Sequence, residues 1–91
     1  MYFVYILKSK VNGRKTYVGY TNDLKRRLAC HNRGECSYTQ SGAPWEIAYF
    51  ELLEKDIALA RERQIKCWSR AKKEALIVGR LVELKGLSKK Y

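Results

Sequence analysis

Tyr2-Phe3-Val4-Tyr5-Ile6-Leu7 is an unbroken apolar run rich in aromatic and β-branched residues, and Thr16-Tyr17-Val18-Gly19-Tyr20-Thr21 returns to that character after Asn12-Gly13. A run with no polar alternation is the pattern of a strand covered on both faces, so residues 2–7 read as the centre of a sheet. Asn-Gly between two such runs is a hairpin signal, because both residues tolerate positive φ. The two stretches therefore predict antiparallel neighbours.

Working outward, Asn22 or Thr21 can cap a helix running from Asp23 to about Asn32, with Asp23 in the first turn where the helix dipole favours an acid. Asn32 to Pro44 holds Gly34, Gly42 and a cluster of Ser, Thr and Gln, and reads as a loop of 13 residues. Trp45 to Leu53 reads as a third strand. Lys55 to about Arg70 reads as a helix with Ile57, Ala58, Ile65 and Trp68 on one side, and Ala71 to Val78 as a helix ending at Gly79. The order β-β-α-β-α-α predicts an α+β fold, a three-stranded and mostly antiparallel sheet flanked by helices. One domain over residues 1–79 is expected, with residues 80–91 a loosely ordered basic C-terminal tail.

Lys and Arg total 19 against nine Asp and Glu, a formal charge of +10 on 91 residues. The excess is spread along the chain, with eight basic and two acidic side chains in residues 1–45 and eleven and seven in residues 46–91. Such a charge costs self-repulsion and is usually matched to an anionic partner, of which nucleic acid ranks first. The longest apolar stretch, Met1 to Leu7, falls far short of the ~20 residues that span a bilayer, and no basic segment precedes it. A cytoplasmic monomer with no membrane partner is expected.

Cys30, Cys36 and Cys67 lack C-x-x-C spacing, so neither a disulfide framework nor a standard zinc knuckle is indicated. Adjacent ligands at Cys30 and His31 are also awkward for one tetrahedral centre. The phosphate-loop, zinc-protease, nucleophile-elbow and dinucleotide signatures are absent, which removes most nucleotide-dependent and hydrolase classes. His31 next to Cys30 in sequence makes a poor thiol-protease pair.

On the first helix, Leu24, Arg27, Leu28 and His31 fall on one stripe at 100° per residue, while Lys25, Arg26, Ala29 and Asn32 take the other side. Arg27 and His31 thus occupy positions normally given to core residues. Either the Arg27 stem snorkels at the edge of a packed imidazole, or both project over tyrosines on the sheet and make a cationic pocket.

Phe3-Val4-Tyr5, Tyr17-Val18-Gly19 and Thr21-Asn22-Asp23-Leu24 with Arg27, Leu28, His31 and Asn32 resemble the GIY-YIG nuclease superfamily. The later pattern Glu62, Ile65-Lys66, Trp68, Lys73 and Leu76-Ile77 extends the resemblance across residues 2–79. It is closest to the small stand-alone members; others are homing endonucleases, restriction enzymes and the catalytic module of the excision-repair incision enzyme. Of the six motif letters only Tyr5, Tyr17 and Gly19 are literally present. The resemblance implies a Mg²⁺-dependent (or Mn²⁺-dependent) endonuclease acting on nucleic acid, DNA first, by a one-metal mechanism. A tyrosine, Tyr5 or Tyr17, would activate water, Arg27 would steady the phosphate, and Glu62 would bind the metal.

Each implied role has a physical basis. A phenol ionises near pH 10, so a tyrosine base needs cationic neighbours, and Arg27 and His31 are the candidates. Arg27 can give two parallel hydrogen bonds to phosphate oxygens, and a lone Glu62 suits Mg²⁺, which keeps most of its waters. Lys25, Arg26, Lys66 and Lys73 are candidate nucleic-acid contacts, and Gly19 would leave room for phosphate beside Tyr17. Read without the resemblance, Tyr5 and Tyr17 are ordinary strand residues, and Glu62 and Lys66 a surface pair at i,i+4. The alternative function is a nucleic-acid-binding module without turnover, or a subunit that needs a protein partner for specificity.

The nuclease reading requires Tyr5 and Tyr17 on one face. A two-residue Asn12-Gly13 turn pairs Leu7 with Val18 and separates them. A three-residue or bulged turn, with Gly13 at positive φ, puts Tyr5, Leu7, Tyr17 and Gly19 together, and this is the expectation.

Overall fold

Six elements run in the expected order along residues 1–34 and 42–89, the part that the computed structural model describes, with side chains described as far as residue 79. They are β1 (Tyr2–Ser9), β2 (Thr16–Thr21), α1 (Leu24–Asn32), β3 (Trp45–Leu53), α2 (Lys55–Lys66) and α3 (Arg70–Lys89). The sheet is antiparallel throughout, in the order β2-β1-β3. Val4, Tyr5, Ile6 and Leu7 are all buried, which is why β1 carries no polar alternation. Each such side chain contributes about 1.5–3 kcal/mol on burial, so this one strand anchors both faces of the sheet.

The faces hold separate cores. Val4, Ile6 and Val18 pack with Ala58 and Ile65 of α2 and Ile77 of α3. Tyr5, Leu7 and Trp45 pack on the other side with Tyr17, Ile47 and the α1 residues Leu24 and Leu28. The molecule is thus three layers, with α1 on one face and α2 and α3 on the other.

The hairpin confirms the shared face but by a different turn. Tyr5 stands opposite Gly19 and Leu7 opposite Tyr17. The connection is longer than three residues, and Gly13 is not at positive φ; among the described residues only Gly34 is. Side chains close the turn instead: Ser9 Oγ accepts from the amides of Val11 and Asn12, and Asn12 Oδ1 accepts from that of Arg14. Lys15 N–H then bonds to the Asn12 carbonyl, so ordinary negative-φ turns suffice.

A bulge between β1 and β3 has no counterpart in the sequence pattern. Tyr5 pairs with Phe50 and Ile6 with Tyr49, yet Leu7 pairs with Ile47, leaving Ala48 extra. The slip returns Trp45 and Ile47 to the α1 face while Tyr49 and Glu51 point to α2.

Three helix boundaries differ from expectation for reasons of capping. Asp23 precedes α1 as its cap, its carboxylate accepting from Arg26 N–H, while Thr21 Oγ1 accepts from Asp23 N–H. The second helix stops at Lys66 rather than near Arg70, because Ser69 Oγ accepts from Lys72 N–H and starts a new helix. Gly79 does not end α3, which continues to Lys89. One glycine costs a helix about 1 kcal/mol relative to Ala, too little to stop it alone. Within the expected loop, residues 35–41 lie outside the described residues, as do the side chains of the expected tail over 80–91.

Candidate active site

The register delivers Tyr5 and Tyr17 to the face that α1 covers, and the helix brings His31 down on them. Tyr5 and His31 are buried, and Tyr5 Oη shares a hydrogen bond with His31 Nε2 at 3.0 Å. The Tyr17 ring lies 4.8 Å from the imidazole and 6.3 Å from the Tyr5 ring, and is only half-buried. One tyrosine is therefore held inside and the other reaches the surface.

Gly19 sits where two tyrosine rings converge. A Cβ there would lie 2.6 Å from Tyr5 Oη, 2.8 Å from Tyr5 Cζ and 3.0 Å from Tyr17 Cε2. The absence of a side chain at Gly19 therefore leaves room for the Tyr5 phenol. The same absence of Cβ lets both rings meet His31.

Arg27 is exposed, which corrects its expected place among the inward residues. It lies about 60° round the helix from the line of Leu24, Leu28 and His31, at 100° per residue, and so flanks the stripe. Burial first, and then the positive charge of Arg27, hold the His31 pKa below its ordinary 6.5. The imidazole is therefore neutral at pH 7, and of the two expected cations only Arg27 is charged.

Glu62 comes from the other helix layer. It belongs to the inward stripe of α2 with Ala58 and Ile65, on the α2 side of the sheet, and is buried. Its carboxylate pairs with Lys66 Nζ at 2.6 Å, so the anticipated i,i+4 pair exists with its acid inside. Arg61, which helical periodicity favours for the inner face, binds Glu51 through Nε and Nη2 at 2.9–3.2 Å. Its guanidinium also stands over the Trp68 ring at 5.2 Å.

Among the described residues, no three His, Cys, Asp or Glu side chains gather as a metal cage. A divalent ion here would take one carboxylate from the protein, with water and substrate phosphate completing its shell, which suits Mg²⁺ or Mn²⁺ and not a structural zinc. Neither Cys30 nor Cys67 is in a disulfide; Cys36 lies outside the described residues. Tyr49 is no candidate base, since burial and then the Glu51 carboxylate push its pKa up to about 12 on the far face.

Of the expected nucleic-acid contacts, Lys25 and Arg26 are exposed on α1, whereas Lys66 is engaged with Glu62 and Lys73 lies half-buried in α3. The four come from three different helices. Sequence reasoning missed Lys55, Tyr2 and Tyr20, which line a cleft of about 360 Å³ with Arg26 and Arg27. It also missed Arg33, although Arg26, Cys30 and Arg33 at i, i+4 and i+7 carried the signal. Asn32 is a positioning residue: its Oδ1 accepts from Trp45 N–H at 2.5 Å and its Nδ2 donates to the Trp45 carbonyl at 3.3 Å. The end of α1 is thereby tied to the start of β3.

The sequence matches the GIY-YIG catalytic domain family over residues 1–75. A UPF0213 protein of Haloquadratum walsbyi is 38% identical over 77 residues, covering 82% of this chain and 84% of the relative. A UPF0213 protein of Clostridium perfringens is 39% identical over 85 residues, covering 91% and 89%. The solution NMR structure of a UPF0213 protein from Bacillus halodurans is 37% identical with a TM-score of 0.50, covering 94% of this chain and 87% of that one. On this match and these relatives, the chain belongs to the GIY-YIG catalytic domain family.

Proposed function

We propose that this protein is a Mg²⁺- or Mn²⁺-dependent endonuclease that hydrolyses phosphodiester bonds in DNA. The observation that carries the reading is a buried Tyr5–His31 hydrogen bond, with the half-exposed Tyr17 ring against that imidazole and an exposed Arg27 whose charge acts on it. Tyr5 fixes the imidazole, and the imidazole supports the Tyr17 ring at the surface. Tyr17 is then the side chain that can reach a water and orient it toward phosphorus, and its phenolate form is what takes the proton. Arg27 donates to phosphate oxygens as their negative charge grows in the transition state. Glu62 would hold the metal, which supplies charge stabilisation at the leaving oxygen, while Lys66 is half exposed and on a flexible stem that can swing away.

Plasmid nicking with Mg²⁺ or Mn²⁺, and with chelator, tests this. Tyr17→Phe, Arg27→Ala and Glu62→Gln are each expected to lower the rate by about 10²-fold or more, the usual scale for losing one proton-transfer or charge-stabilising group. Cleavage at wild-type rate in any two of these variants would refute the assignment. The ion pair that occupies Glu62 favours a second reading, binding without turnover. Tight, salt-sensitive DNA binding with no cleavage of duplex, branched or single-stranded substrates in either metal selects it.

A further inference from the structure

Two basic clefts flank Arg27 and share two of their walls. One, of about 360 Å³, lies between the start of α1 and the start of α2, where Arg26, Arg27 and Lys55 face the paired rings of Tyr2 and Tyr20. The other, of about 290 Å³, runs along α1 and is lined by Arg26, Arg27, Cys30 and Arg33. Arg26 and Arg27 border both, so the clefts adjoin at the residue that the functional reading places on the scissile phosphate.

The lining is one-signed. Arg26, Arg27, Arg33 and Lys55 are exposed cations, and among the described residues no carboxylate lines either cleft. Arg26 pairs with Asp23, whose Oδ2 is 4.0 Å from Arg26 Nε with both side chains exposed, a contact too weak to neutralise the arginine. The rings of Tyr2 and Tyr20, 5.9 Å apart, add π surface at one end only. Cations along a groove with aromatic rings beside them are the chemistry that holds a sugar-phosphate backbone and its bases.

We propose that these clefts form a binding track for the phosphodiester backbone of one nucleic-acid strand, with Lys55, Tyr2 and Tyr20 on one side of the cut and Arg33 on the other. The proposal rests on the nuclease reading for where the cut falls, and adds binding residues on both sides of it. Arg26 to Arg33 is about 10 Å of helix at 1.5 Å per residue, some three nucleotides of a B-form strand at 3.4 Å each. The substrate is therefore held by several phosphates in a row, without base readout from α1.

Cys30 gives a readout that does not depend on cleavage, because it lines the Arg33 cleft while Cys67 is exposed at the end of α2. The full chain is titrated in chelator with a short fluorescein-labelled DNA strand, and alkylation of each cysteine is followed by peptide-resolved mass spectrometry. Bound DNA is expected to slow alkylation of Cys30 several-fold and leave Cys67 unchanged. Lys55→Gln and Arg33→Gln are each expected to flatten the slope of log K against log salt by about 0.7, one phosphate contact on a single strand. DNA that binds with the Cys30 rate or both salt slopes unchanged overturns the track and leaves the nuclease reading standing. Protection and slope changes as expected, without cleavage in metal, support the track and refute the nuclease reading. Absence of DNA binding refutes both.

Discussion

Gly19→Ala probes the tightest point of the candidate site. The added methyl would lie 2.6 Å from Tyr5 Oη and 2.8 Å from Tyr5 Cζ, distances at which one side must move. Tyr5 has little room to yield, being buried and bonded to His31 at 3.0 Å. Overpacking of this kind costs about 1–3 kcal/mol, and loss of the Tyr5–His31 hydrogen bond adds about 0.5–1.5 kcal/mol, for a total of roughly 2–4 kcal/mol. In a domain of this size each kcal/mol lowers Tm by about 4–8 °C, so a fall of at least about 8 °C is expected in thermal unfolding. Because the methyl also meets Tyr17, cleavage should fall further than the unfolded fraction explains. The decisive measurement is a double-mutant cycle with Tyr5→Phe, which removes the oxygen at 2.6 Å. Gly19→Ala should then cost about 1 kcal/mol less when made together with Tyr5→Phe than when made alone, since residues in contact are energetically coupled. Strict additivity of the two substitutions, or a loss below about 0.5 kcal/mol for Gly19→Ala alone, would refute the reasoning that Gly19 exists to admit Tyr5.

Stability should also depend on pH through His31, whose folded pKa is held below 6.5. The unfolded chain takes up the proton first as pH falls, so this contribution is complete above about pH 6.5 and is lost between 6.5 and the lowered folded value, by up to about 1.4 kcal/mol per pH unit. Urea midpoints of wild type and His31→Gln that decline in parallel between about pH 7 and pH 5 would contradict this. Asn32→Ala removes both side-chain bonds to Trp45 and should destabilise by about 1–3 kcal/mol, read by chemical denaturation; an unchanged midpoint would show that the tie between α1 and β3 is dispensable.

The strands, their order and the first helix were legible in the sequence because local chemistry dictates them. Consecutive burial on both faces leaves residues 2–7 no polar position, and Trp45–Leu53 was bounded by Pro44 and by Glu54 with Lys55. The set Tyr5, Tyr17, Arg27, His31 and Glu62 was legible only as a resemblance, since no helix or strand period selects Glu62 over Arg61. What the sequence by itself determined was which residues make the sheet and that the excess positive charge calls for an anionic partner. The tertiary structure decided the rest, because each remaining point depends on atoms far apart in the chain. The Ser9 and Asn12 bonds set the register that unites the tyrosines, and the β3 bulge sends Tyr49 and Glu51 to the other face. Burial between α1 and the sheet, and then the charge of Arg27, lower the His31 pKa, and the Tyr5 phenol fills the space that Gly19 leaves. The juxtaposition of Lys55 with Arg26 and Arg27 links residues nearly thirty positions apart, a distance that no local pattern can span.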